Sequence, residues 1–155
     1  MTEKEELTDK LQELREAYFK ERSEMLDALI ARFGPDVKDV VRKFVIEDSK
    51  KTWSAIAKKE GRNDISTLIR TLWEPMKGWF EYTYEEKDGG IQMKVTRCPF
   101  ADMAIALGKE DWGFEFYCMS DYGIMEGFNP EIEFKRSKTL MEKHDCCDHF
   151  YCMKK

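Results

Sequence analysis

The sequence lacks any apolar run longer than a few residues, which leaves no segment able to span a bilayer as a helix of about twenty apolar residues. It also lacks a basic start followed by an apolar stretch, so the expectation is a cytoplasmic protein. No concentrated positive face is present: 26 Lys and Arg are interleaved with 31 Asp and Glu for a net charge of -5, which argues against nucleic acid as the main partner. Internal repeats, low-complexity tracts and linkers are absent, and 155 residues suit a single domain, helical over 1–74 and mixed over 75–155. The five cysteines are an odd number in a chain expected to meet a reducing compartment. A disulfide framework is therefore the poor explanation, and metal, catalysis or packing remain.

What is present is a chain that should fold, with 42% hydrophobic residues beneath a heavily charged surface. Leu7, Leu11, Leu14, Tyr18, Met25, Leu29 and Phe33 recur at steps of three, four or seven and predict a long first helix stopped by Gly34-Pro35. Soluble helices usually bury such a stripe at home, so it is expected in this protein's own core, with pairing to a second subunit as the alternative. A second helix should run from Asp36 to Gly61, burying Val37, Val40, Val41, Phe44, Val45, Trp53 and Ile56. A short third follows Asn63 or Asp64. The period then becomes alternating: Phe80, Tyr82 and Tyr84 share a face, Asp88-Gly89-Gly90 turns the chain, and Ile91, Met93 and Val95 return. Helices are expected after Pro99 and Asp111, then a second hairpin through Ile132, Phe134 and Arg136 and through residues 146–152. The predicted class is α+β, an antiparallel sheet of two hairpins with helices packed on one face.

Chemistry gathers in the second half, where both histidines and all five cysteines lie. Cys98 precedes Pro99 at a strand-to-helix junction, where unpaired amides and the helix dipole favour a thiolate; a small buried cap is the plain alternative. Cys118 has a largely apolar helix face and reads as core unless it has company. Strand parity sends Cys146, Asp148, Phe150 and Cys152 to one face and Cys147, His149 and Tyr151 to the other, so adjacent cysteines cannot both face one site if both are in the strand. The spacing matches neither Cys-x-x-Cys knuckles nor compact iron–sulfur runs. A dispersed site of Cys98, Cys118 and the Cys146/Cys147 pair remains open, holding zinc or an iron–sulfur cluster. Arg136 shares its face with Ile132 and Phe134 and needs an anionic partner, from a substrate or from an internal Asp or Glu.

The segments "RCPFADMAIALG", "SDYGIMEGFNP", "EFKRSKTLME" and "DCCDHFY", with Cys118 before the second, resemble the L-2-amino-thiazoline-4-carboxylic acid hydrolase family over about residues 95–151. The resemblance implies a hydrolase that opens a cyclic amidine, a small-molecule substrate, and Cys98, Cys118, Asn129, Arg136, Thr139, Cys146, Cys147 and Asp148 as family positions. On that basis Cys98 is the nucleophile and Arg136 the carboxylate clamp. Asp148 or His149 is the acid/base, Cys147 belongs to the catalytic group, and Asn129 and Thr139 bind substrate. The alternative metal set is Cys98, Cys118, Cys146 and Cys147. Both readings require distant sulfurs to converge around a common cavity.

Overall fold

In the computed structural model, which describes all 155 residues, Thr2 opens the first helix with a reciprocal cap. Its hydroxyl accepts from the Glu5 amide at 3.3 Å, and the Glu5 carboxylate accepts from the Thr2 amide at 2.6 Å. Helix α1 (Glu3–Phe33) then runs 31 residues to Gly34, and α2 (Asp36–Glu60) folds back to end at Gly61. The expected burial of α1 is corrected. Phe19, Ser23 and Leu26 are the buried positions, while Leu7, Leu11, Leu14, Tyr18, Met25, Leu29 and Phe33 are all exposed. The reason is rotational: Phe19, Ser23, Leu26 and half-buried Ile30 form a second stripe, about 120° around the helix from the first, and that second stripe meets the body. On α2, Val40 and Phe44 are likewise exposed, against expectation, while Val37, Val41, Val45, Trp53 and Ile56 are half-buried.

Asp64 caps α3 (Ile65–Leu68) by accepting the Thr67 amide at 2.8 Å, and the helix widens into a π turn (Ile69–Trp73) before a short 3-10 turn around Pro75. Strands β1 (Glu81–Lys87) and β2 (Gly90–Arg97) are joined by Asp88 and Gly89, both at positive φ, as a tight hairpin turn requires. Helix α4 (Pro99–Ala106) leads to α5 (Glu110–Gly113), a π turn (Phe114–Cys118) and α6 (Ser120–Phe128). Gly123 and Gly127 stand inside α6, where glycine costs helix propensity, for a packing reason. A β-carbon at either would collide with a backbone carbonyl of α2, that of Ile46 or Lys50, so the glycines let the two helices lie in close contact.

Strands β3 (Ile132–Lys135) and β4 (Cys147–Met153) complete one antiparallel sheet in the order β1-β2-β4-β3. Its register sets Val95 opposite Cys147, Met93 opposite His149, and Tyr151 opposite both Ile91 and Phe134, so these side chains share the helix-covered face. One core joins that face to α3 and α6 through Trp73, Phe128 and Tyr151; the other joins α1, α4 and α5 through Phe19, Trp112 and Met141. Cys98, Phe100 and Leu140 pack against both. No helix is long and apolar enough to cross a membrane.

Candidate functional site: three thiols around a buried ion pair

Arg136 leaves the end of β3 on the inner side and its side chain is only 3% exposed. Such burial demands an anion, and Asp121, one residue into α6, supplies it at 2.5 Å. The other terminal nitrogen donates to the Cys118 carbonyl at 3.1 Å, and the rings of Phe114, Tyr122 and Phe134 stand 5.4–5.9 Å from the guanidinium carbon. Its anionic partner is thus internal, and two of its donors are already used. Burial pushes the Asp121 carboxyl up, to about 6, against the pull of Arg136.

Three sulfurs lie around this pair. Cys98 is the N-cap of α4, Cys118 closes the π turn three residues before Asp121, and Cys147 opens β4, where its sulfur accepts the Leu140 amide at 3.2 Å. The three are close enough that the ionisation of Cys118 responds to both of the others and to Asp121. The expected thiolate at Cys98 is corrected. Burial pushes its thiol up to about 12, outweighing the Phe100 and Ala101 amides at the helix start that pull the other way. Burial raises Cys118 and Cys147 as well, so all three rest as neutral thiols. Cys98 and Cys118 remain partly exposed.

The remaining expected residues divide by face. His149 shares the inner face, where its Nδ1 lies 3.1 Å from the Tyr151 hydroxyl, which also accepts the Trp73 indole N–H at 3.2 Å. The Tyr151 hydroxyl therefore links the indole to the imidazole, and its one proton and second lone pair let it serve either neutral tautomer of His149. Burial drives the His149 pKa down to about 3, so the ring is neutral and a weak base. Asp148 projects to the opposite side of the sheet. It accepts from the amides of Ser137 and Lys138 at 2.8 and 2.6 Å and from the Ser137 hydroxyl, which pins the loop after β3. Those hydrogen bonds hold its carboxyl below the ordinary range, and its pairing with Cys98 as acid/base is corrected by this geometry. Asn129 bridges the Asn63 carbonyl and the Glu131 amide, both at 3.0 Å, and Thr139 caps the turn at Leu140–Glu142. Both act locally.

The dispersed metal set also fails on geometry. No group of three or more His, Cys, Asp or Glu side chains is arranged to hold an ion, and Cys146 lies in the loop before β4 rather than in the strand. Fifteen concavities mark the surface, and the five best formed, of 410–890 Å³, are lined by residues other than Cys98, Cys118 and Cys147.

Two features escaped the sequence. Asp121 sits three residues after Cys118, on one helix face with it, and that spacing was the available signal. Arg15 and Arg22, seven apart on α1, border the buried stripe: Arg22 lies 3.7 Å over Phe116 and Arg15 lies 4.6 Å over Trp79. Neither has a carboxylate within salt-bridge distance, the Arg22 Nε is buried without a partner, and both charges act on the Tyr117 hydroxyl. Tyr117 in turn stacks at 4.1 Å on Phe100, two residues beyond Cys98.

The family model described as L-2-amino-thiazoline-4-carboxylic acid hydrolase matches residues 12–151, taking in α1's packing stripe as well as the cysteine-bearing half. No curated protein and no solved structure matches the chain. With nearly the whole length matched, the chain belongs to the L-2-amino-thiazoline-4-carboxylic acid hydrolase family.

Proposed function

We propose that the protein hydrolyses a small cyclic amidine of the thiazoline-carboxylate type, with Cys98 as nucleophile and Asp121 as its base. The observation that carries this reading is the gathering of three thiols around the Arg136–Asp121 pair in a member of this family. Cys98 needs a base because burial keeps it protonated, and Asp121 is the carboxylate whose charge it feels. The thiol proton passes to Asp121, the sulfur attacks the amidine carbon, and the ring carbon–sulfur bond breaks as the departing sulfur takes that proton. Water then adds to the same carbon and Cys98 leaves. One water proton returns to its sulfur, the other ends on the former ring nitrogen, and the product is an N-carbamoyl-cysteine.

Arg136 keeps Asp121 ionised and fixed, and its own donors are engaged. The unpaired Arg15 and Arg22 beside Tyr117 are better placed to receive the substrate carboxylate, since guanidiniums bind carboxylates in a planar fork. The test is turnover of 2-amino-thiazoline-4-carboxylate by Cys98→Ser, Cys118→Ser and Cys147→Ser. Loss of activity confined to Cys98→Ser supports the assignment. Full activity in all three overturns the cysteine-centred reading.

A further inference from the structure

We propose that α1 pairs with α1 of a second copy of this chain as an antiparallel two-helix coil over Lys4–Glu21, an assembly that stands apart from the catalytic reading. Between Glu3 and Leu14 only Gln12 is even half-buried, so this arm runs clear of the body. An unsupported helical arm is marginal in water, and this one also exposes Leu7, Leu11, Leu14 and Tyr18 at 59, 45, 66 and 62%. The face is a seam with steps of three and four, the pattern that seats one helix against another.

The seam itself identifies the occupant. Lys4, Leu7, Leu11, Leu14, Tyr18 and Glu21 follow steps of three, four, three, four and three, which read the same in both directions. A twofold axis midway between Gln12 and Glu13 therefore sets Leu11 against Leu14, Leu7 against Tyr18, and Lys4 against Glu21 of the other copy, each twice. That is the self-complementarity an isologous interface needs. Neither Lys4 nor Glu21 has a salt-bridge partner within its own protomer. A parallel pair would instead set Lys4 against Lys4 and Glu21 against Glu21, so charge selects the antiparallel arrangement. The overlap is about 27 Å long at 1.5 Å per residue. Covering the seam removes on the order of 600 Å² per protomer, the lower end for a specific dimer. The body attaches through the other stripe, Phe19, Ser23 and Leu26, so the two bodies lie at opposite ends of the coil.

Sedimentation velocity on the full chain from about 1 to 100 µM, a range suited to an interface of this size, is the test. The expected result is a concentration-dependent dimer that Leu11→Gln/Leu14→Gln converts to monomer with helical content unchanged. Lys4→Glu and Glu21→Lys should each weaken the dimer about tenfold, two charge contacts turning repulsive at once, and the double reversal should restore it. A wild-type monomer throughout the range overturns the proposal. So does a dimer indifferent to the leucine changes, or a double reversal that stays as weak as either single one.

Discussion

Replacing His149 by Asn and comparing stability with pH isolates one buried titration. Asn is neutral at every pH, and its side-chain amide can take the place of Nδ1 in the bond to the Tyr151 hydroxyl, as donor or as acceptor. In the wild type the His149 pKa falls from an ordinary 6.5 to about 3 because burial penalises the charged ring. The unfolded chain therefore binds a proton that the folded chain refuses, and the stability due to neutral His149 is lost as pH falls through the window from 6.5 to about 3. At 1.36 kcal/mol per unit, the loss from this group between pH 7.5 and 5 is about 2 kcal/mol, approaching roughly 5 kcal/mol below pH 3. Asp121 acts in the opposite sense. Its raised pKa makes the folded chain bind the extra proton, so its contribution grows as pH falls from about 6 toward the ordinary 3.8. The two partly cancel in the wild type, which is why the difference between wild type and His149→Asn is the quantity to follow. Urea denaturation at pH 7.5 and 5 should show the wild type losing about 2 kcal/mol more than the variant. Equal losses in the two proteins would refute the buried, neutral His149.

Phe19 is fully buried, with Phe116 and Tyr117 rings 6.0 and 5.8 Å away, so Phe19→Ala should cost about 3–5 kcal/mol in chemical denaturation. Leu14→Ala on the same helix, measured on dilute protein, should stay within about 0.5 kcal/mol. Gly123→Ala gains about 1 kcal/mol of helix propensity but drives a methyl into the Ile46 carbonyl of α2, and the net result should be a loss of about 2 kcal/mol, read as a lowered Tm. With Asp121 as base, turnover should fall about tenfold per pH unit below about 6, and Asp121→Asn should lower kcat by about 10²–10⁴. Arg22→Gln should raise KM while leaving kcat within about threefold, since it removes a carboxylate contact made equally in ground and transition states.

The elements were legible because their signals are local. The Gly34 stop of α1, the Asp64 cap, the Asp88-Gly89 turn and the alternation through Met93 and Val95 all appear where the spacing of side chains places them. Parity along residues 147–151 also separated inward Cys147 and His149 from outward Asp148. The buried face of α1 was not legible. Two apolar stripes share the helix, and the one with more leucines faces solvent while Phe19 and Leu26 do the packing. The ionisation of Cys98 was misread for a related reason: the helix start is visible in the sequence, but the desolvation that overrides it comes from residues far along the chain. An internal acid for Arg136 was anticipated from its strand parity, but which acid was not legible, because the contact with Asp121 spans the turn between α6 and β3.

Intact-mass spectrometry of protein mixed briefly with 2-amino-thiazoline-4-carboxylate and quenched in acid tests the thiol chemistry most directly. The expected result is a species heavier by one substrate molecule, located on Cys98 by peptide mapping and absent from Cys98→Ser. Formation of N-carbamoyl-cysteine by Cys98→Ser at the wild-type rate, with no adduct in either protein, would contradict it.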